Sequence, residues 1–404
     1  MTIPIQNTTN GTKKADPAHL PLFEPLTMGG LTLPNRIVMS ALTRNRASVP
    51  SLVPSDLNVE YYAQRARGGP GLIIAEGALT SWQGTQWPYA PGLWTDEQVA
   101  GWKKVVDAVH KEGTVIFAQL WHVGRTSRPD HPLHPGCDVL APSAVQGRGG
   151  LPFRHMTEAD GYAMPTEIAD PQAIIDEYKH NAVNAKKAGF DGAEIMAGTG
   201  YLIQQFIDSG VNKRMDKWGG SVENRCRFAL EVVKAVREVF PEGRVGIKLS
   251  PSGGMNDVGM PLPETIETYT HLLTALDTLG LGYICIARDI PFFDTKLDNK
   301  MRAISHDTTK TYRSSIKHTH LMINGDLSPD LAASYIAGKD GLPQVELTSF
   351  GRPWIVNPDF ARRLEHGVEL AGLDQLLMAS VYGSNLPEEE SRVGYTSYPE
   401  GVYV

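Results

Sequence analysis

The 404 residues include only three cysteines, Cys137, Cys226 and Cys285, too few and too scattered for a disulfide framework or a zinc site. Three free thiols in a reducing compartment are expected. No apolar run approaches the ~20 residues needed to span a bilayer. The opening stretch, MTIPIQNTTNGTKKADPAHL, is polar and lacks the apolar core of a signal peptide. The closing GVYV is neither a lipidation nor a peroxisomal signal. These absences predict a soluble, cytoplasmic chain, with residues 1–20 as a flexible arm. Charge is not concentrated either: 38 Lys and Arg against 45 Asp and Glu leave a net −7 with no like-charged block. Without a basic stripe interleaved with aromatics, nucleic acid is not an expected partner. Without a cluster of His, Cys and acids, no metal is expected.

What the chain has is apolar residues, 41% of the total, enough to bury a sizeable core. They fall in short, nearly continuous runs: RIVMSAL (36–42), GLIIAEGA (71–78), TVIFAQLW (114–121) and GAEIMA (192–197). VGIKLS (245–250), YICIAR (283–288), LMING (321–325) and QVELTSF (344–350) follow. Continuous rather than alternating runs suit strands buried on both faces. Between them lie helical patterns. DEQVAGWKKVVDAVHKEG sets Val99, Trp102, Val105, Val106 and Val109 at helical spacing. PQAIIDEYKHNAVNAKKAG ends on a glycine suited to a helix C-terminus, and SVENRCRFALEVVKAVREVF reads likewise. Eight strands alternating with helices predict an α/β fold, a (β/α)8 TIM barrel. No Pro/Ser-rich linker divides it, so residues 21–404 are expected to form one domain.

The connection from the third to the fourth strand, with RTSRPDHPLHPGCDVLAPSAVQGRGGLPFRHM, is far longer than a crossover needs. The stretch DIPFFDTKLDNKMRAISHDTTKTY after the sixth strand is also long. Loops of this length are commonly lids or binding loops, and both would hang over the C-terminal face, where barrel enzymes place their chemistry. The strand ends offer Ala41-Leu42-Thr43, Glu76-Gly77-Ala78, Gln119 to His122, Met196 to Tyr201, Lys248, Arg288, Asn324-Gly325 and Gly351-Arg352. Glu76 is the only acid among them. Glycines after strands seven and eight, with Arg352 beside them, suit a phosphate held by backbone N–H groups. They read equally well as turn glycines and a surface charge. A lysine on a barrel strand, Lys248, could serve as a Schiff-base nucleophile of a lyase. A degenerate barrel that binds without turnover is a further alternative.

Five stretches carry a resemblance: LFEPLTMGGLTLPNRIVMSALTRNRA, FAQLWHVGR, HNAVNAKKAGFDGAEI, GGSVENRCRFALEVV and FGRPWIVNPDFARRL. In this order, from about residue 22 to GYTSYP (394–399), the chain resembles the Old Yellow Enzyme family, FMN-dependent NAD(P)H oxidoreductases built on a (β/α)8 barrel. The resemblance implies FMN as cofactor, NADPH or NADH as reductant and a small-molecule substrate, with the chain a monomer or homodimer. It implies reduction of the C=C bond of an α,β-unsaturated carbonyl, with hydride from flavin N5 and a proton from Tyr201. Thr43 should bond the flavin O4 side. Ala41, Leu42 and Ala78 should contribute backbone and packing contacts, and Gln119 should hold the pyrimidine portion. Asn324, Gly325, Gly351 and Arg352 should lie at the cofactor, the last three at its phosphate. Trp121 should shape the substrate side. A flavin also accounts for the scarcity of acids, because the cofactor carries the hard chemistry.

Two positions depart from the family pattern. The arginine usual at the flavin N1/O2 edge is Lys248, which keeps the charge but loses the planar fork. The His/Asn pair that usually holds the substrate carbonyl is Met196 and Thr199. The proton donor is retained while the clamp is lost, so simple cyclic enones should turn over poorly and the natural substrate should be larger, more apolar or otherwise anchored. His122 and Tyr382 are the candidate replacement donors, with Tyr61 and Tyr62 behind them. His122 also reads as a structural residue of the strand-end turn. The alternative is an FMN-dependent desaturase, isomerase or redox cyclase of a secondary-metabolite intermediate.

Overall fold

Each apolar run lacks a polar face and so needs cover on both sides. A closed barrel wrapped in helices supplies it. In the computed structural model, residues 16–82, 87–129, 136–148, 162–289, 296–297, 300–301, 305–373 and 388–403 are described. The strands are β1 Ile37–Met39, β2 Leu72–Leu79, β3 Ile116–Trp121, β4 Gly192–Ala197, β5 Val245–Leu249, β6 Tyr283–Ala287, β7 His320–Asn324 and β8 Leu347–Phe350. All pair in parallel in chain order, and β8 closes onto β1 with Ser349 opposite Val38. The expected (β/α)8 barrel is the fold observed.

The helices that follow the strands are α1 Asp56–Arg67, α2 Asp96–Lys111, α3 Pro171–Ala188, α4 Leu202–Ile207 and α5 Val222–Arg237, then α6 Leu262–Leu276, α7 Thr308–Tyr312 and α8 Pro329–Ala337. Local chemistry sets their ends. In α2 the Thr95 hydroxyl accepts from Gln98 N at 3.2 Å while the Gln98 carbonyl oxygen accepts from Thr95 N at 3.1 Å, a reciprocal capping box. Trp102, Val105, Val106 and Val109 then enter the core between strands and helices. Each such burial contributes about 1.5–3 kcal/mol. In α3, Asp170 caps a first turn begun by Pro171, and Gly189 ends the helix at φ 95°.

Alternate strand residues fill the barrel: Val38, Leu72, Phe117, Tyr283, Met322 and Leu347 form an inner cluster. An antiparallel hairpin, Leu26–Met28 with Leu31–Leu33, adds Met28 and Leu33 to it and floors the barrel where the strands begin. That leaves the other end open for chemistry.

Parts of the β3–α3 connection reach the loop after β5. Tyr162 OH donates to Asn256 Oδ1 at 3.0 Å, Arg148 pairs with Asp257 at 2.7 Å, and the Arg125 guanidinium donates to Asp257 O at 2.7 Å. Residues 130–135 and 149–161 of this connection lie outside the described residues, as do 290–295, 298–299 and 302–304 of the second long loop. The expected N-terminal arm is outside them as far as residue 15. Its last residues enter a 3-10 helix, Pro17–Phe23, where His19 Nε2 is hydrogen-bonded to Asp330 of α8 at 2.8 Å. Among the described residues no helix is long and apolar enough to cross a membrane.

Candidate active site

Parallel strands in register bring their C-terminal ends to one mouth. On β4, Ala193, Ile195 and Ala197 join the outer core, so Glu194 and Met196 face inward. On β3 the same alternation turns Gln119 and Trp121 inward. Gln119 Nε2 donates to Glu194 Oε1 at 2.7 Å, and Tyr283 OH donates to Glu194 Oε2 at 2.9 Å. Lys248 Nζ donates to Ser40 Oγ at 3.2 Å. Asn324 Nδ2 donates to Ser349 O at 2.9 Å and reaches Ser40 Oγ at 3.4 Å. Burial pushes the Glu194 carboxyl upward; the charge of Lys248 and the bonds from Gln119 and Tyr283 oppose the shift. Sequence reasoning missed Glu194. Its only signal was an acid inside the otherwise apolar GAEIMA.

Glu76, expected as the one strand-end acid of the mouth, has a different task. Its Oε2 accepts the backbone N–H groups of Arg44 at 3.0 Å and Asn45 at 3.3 Å, fixing the chain just beyond Ala41, Leu42 and Thr43. Arg44 is sealed beside the rings of Tyr61 and Tyr395, 5.0 and 4.9 Å from their centroids, and donates to Gly394 O at 2.7 Å. Tyr395 stacks on Tyr61 at 4.2 Å, and its hydroxyl accepts from Asn58 Nδ2 at 3.0 Å. The chain's last turns thus brace the β1 loop from outside. Tyr61 and Tyr62 belong to this brace and its helix, both fully enclosed, and are removed from the candidate substrate donors.

At the other side of the mouth, Gly325 has φ 109°, a conformation for which a side chain is unsuited; a Cβ would also sit 3.1 Å from Arg288 O. The N–H groups of Gly325 and Gly351 donate no hydrogen bond among the described residues. Arg352 pairs with Asp326 at 3.0 Å beside them. Two uncommitted N–H groups and an arginine form a cradle suited to a phosphate.

Tyr201 stands at the N-cap of α4 and meets Trp121 edge to face, ring centroids 5.0 Å apart at 71°. Met196, Leu52, Leu79, Trp87, Ala90 and Val123 complete an apolar cluster around them, with Trp82 and Trp94 packed against it. Two glutamines not anticipated from sequence hold the turn. Gln204 Oε1 accepts Gly200 N at 2.7 Å, and Gln205 Nε2 donates to Gly200 O at 2.8 Å. Thr199 has φ 52°, strained for a β-branched residue. Its Oγ1 is sealed without a hydrogen-bond partner. That hydroxyl is therefore turned away from solvent.

Of its two readings, His122 takes the structural one. It is fully enclosed, its Nδ1 accepts the Gly124 N–H at 3.0 Å, and burial lowers its pKa to about 4. It belongs to the strand-end turn and not to the substrate contacts. Tyr382 lies outside the described residues. Among the described residues no group of three or more His, Cys, Asp and Glu could hold a metal.

Residues 21–371 match the model of the NADH:flavin oxidoreductase / NADH oxidase family. The flavin oxidoreductase hxnT of Emericella nidulans is 36% identical over 394 residues, covering 94% of this chain and 97% of that protein. The 12-oxophytodienoate reductase 2 of Arabidopsis thaliana is 34% identical, with coverage of 94% and 96%. The structure of the Old Yellow Enzyme homologue from Zymomonas mobilis superposes with a TM-score of 0.81 at 34% identity, covering 94% of this chain and 99% of that one.

Proposed function

This chain belongs to the NADH:flavin oxidoreductase / NADH oxidase family as an Old Yellow Enzyme homologue, and we propose that it reduces the activated C=C bond of an α,β-unsaturated carbonyl or related specialised metabolite larger or more apolar than a simple cyclic enone. It is an FMN-dependent oxidoreductase with a nicotinamide reductant. The mouth fits the cofactor on three observations: the uncommitted Gly325 and Gly351 N–H groups, the Lys248 cation, and a Gln119 Oε1 that accepts no hydrogen bond among the described residues. Gly325, Gly351 and Arg352 would take the phosphate. Gln119 and Asn324 would meet the polar ring edge, Thr43 the O4 side, and Ala41, Leu42 and Ala78 would pack beside it. Lys248 would place its charge at the N1/O2 edge. FMN, reduced by NAD(P)H, supplies the hydride when bound.

Tyr201 would give the proton to the substrate α-carbon, a general-acid contribution of about 10²–10⁴-fold. Trp121, against the Tyr201 ring, would set the angle from which that hydroxyl reaches substrate. The observation carrying the substrate reading is the apolar cluster itself. Met196 occupies the clamp position with no donor, enclosed with Trp121 and Tyr201. Substrate would be held by area and shape there, which favours a large apolar skeleton of the kind tailored in secondary metabolism. Purified protein should be yellow, release FMN on denaturation, and be reoxidised faster by bulky polycyclic enones than by 2-cyclohexenone. Colourless protein that refuses added FMN would overturn the cofactor assignment, and equal rates would overturn the substrate reading.

The sealed Thr199 hydroxyl favours a second reading, a desaturase, isomerase or redox cyclase, because a site that does not grip a carbonyl need not polarise one. Turnover of a saturated candidate with oxygen and without NADPH would support this reading. A strict NADPH requirement would reject it. Lys248 as a Schiff-base nucleophile falls with the family assignment.

A further inference from the structure

We infer that Glu194 is a positioning residue that takes one N–H of the Gln119 amide and so fixes its orientation, with the amide oxygen held as an acceptor at the mouth. This rests on the FMN reading above and adds to it a residue that touches no cofactor.

A glutamine side chain is ambiguous, since its amide presents two donors or an acceptor according to which way it is turned. Here Nε2 lies 2.7 Å from Glu194 Oε1. The second carboxylate oxygen takes the Tyr283 hydroxyl at 2.9 Å, so both oxygens act as acceptors. Glu194 is 2% exposed and Tyr283 fully enclosed, so water does not compete for these bonds. Reversing the amide would set its carbonyl oxygen against a carboxylate oxygen in a low-dielectric interior, two acceptors with no proton between them. Lys248, opposite Met196 on the neighbouring strand, supplies the nearby positive charge that opposes the cost of the buried carboxylate.

The other end of the amide is the informative one. Gln119 Oε1 accepts nothing among the described residues, yet it is absent from the sealed, unpartnered atoms. Gly77 on β2 leaves the space beside it: a Cβ there would stand 3.3 Å from that oxygen and 2.5 Å from the Trp121 ring. An acceptor held in one orientation selects a ligand edge that donates, such as an imide N–H between two carbonyls, and discriminates against a ring that lacks this N–H.

The test compares, for apoprotein, the affinity of FMN with that of 3-deaza-FMN, in which carbon replaces the imide nitrogen so that this N–H is lost, by flavin fluorescence titration. Wild type should prefer FMN by about five- to tenfold, the worth of one neutral hydrogen bond. In Glu194→Gln, whose amide can donate as well as accept, Gln119 is free to turn and the preference should fall to within about twofold. In Tyr283→Phe, which keeps the Glu194–Gln119 bond, most of the preference should remain. The ratio within one variant is insensitive to a general loss of affinity, so a merely structural role would leave it unchanged. If Glu194→Gln does not fold, Glu194→Asp, which withdraws the carboxylate by one methylene, should give the same collapse. Full preference retained in a Glu194 variant, or no preference in wild type, overturns the proposal while leaving FMN binding intact. Wild type that binds neither flavin overturns the FMN reading and this proposal together.

Discussion

On the proposed reading, rebuilding the carbonyl clamp should turn a poor reducer of small enones into a competent one. Met196→His/Thr199→Asn replaces a thioether with no donor and a sealed hydroxyl by two N–H donors. One preorganised donor to a developing oxyanion is worth about 2.7–4 kcal/mol, or 10²–10³ in rate, and two donors acting as a unit do not simply add. The double variant should therefore raise kcat/KM for 2-cyclohexenone by about 10²–10³. Two costs could hide the gain. Removing Met196 from the apolar cluster forfeits roughly 1.5–3 kcal/mol of burial. Against this, a non-glycine residue in a sparsely populated backbone region stores roughly 1–3 kcal/mol, and asparagine tolerates the φ of 52° at position 199 better than a β-branched residue does. The two roughly cancel, so the melting temperature should move little. The new imidazole should stay neutral and able to donate, as burial keeps His122 neutral with a pKa of about 4. Stopped-flow measurement separates the halves of the cycle: flavin reduction by NAD(P)H should be unchanged, and reoxidation by 2-cyclohexenone accelerated. Wild type already as fast as the double variant would refute the lost clamp.

Three further outcomes are expected. Tyr201→Phe should slow substrate reduction by about 10²–10⁴ while leaving flavin reduction by NAD(P)H nearly unchanged; equal slowing of both halves would count against a proton donor. His122→Gln should remove an acid sensitivity. The folded pKa of about 4 lies below the ordinary 6.5, so on acidification the unfolded chain takes the proton first and stability is lost from about pH 6.5 down to about pH 4. By urea unfolding at pH 7.5 and pH 4.5, wild type should lose ~2.5 kcal/mol more than the variant; parallel losses would refute the burial argument. Tyr395→Ala should cost roughly 3–5 kcal/mol through lost packing against Tyr61 and Arg44, and it should weaken FMN binding through the β1 loop that Arg44 anchors. Tyr395→Phe, losing only the Asn58 bond, should cost ~1 kcal/mol. An alanine variant with unaltered stability would show that the brace is idle.

The barrel was legible because burial on both faces writes itself into short continuous apolar runs, and helices write theirs into 3.6-residue spacing. The strands found at 72–79, 116–121, 192–197 and 245–249 match the runs read from sequence to within a residue or two. The candidate cofactor positions were proposed in another way, as residues carried at strand ends. The supports of those positions were not. Nothing local links Gln119 to Glu194, 75 residues away, or Arg44 to Gly394, 350 residues away. Such pairs exist only after the barrel closes. The same gap left the task of Glu76 unread: the sequence marks it as the one acid at a strand end, and its hold on the Arg44 and Asn45 backbone exists only in the fold.

The acids divide by task, and the division bears on mechanism. Glu76 spends its charge on the β1 loop, and Glu194 spends its own on Gln119 and Tyr283 from beneath the mouth. The described groups that the proposed function sets nearest the reaction are instead aromatic, amide and cationic: Trp121, Tyr201, Gln119 and Lys248. A carboxylate there would oppose negative charge building on a reduced ring. A cation and outward-facing acceptors and donors accommodate it. With the redox chemistry left to a cofactor, the chain's remaining freedom lies on the substrate side, in Met196, Thr199 and the tryptophans around them. On the proposed reading, substitution there changes which molecule is reduced while the cofactor side stays intact.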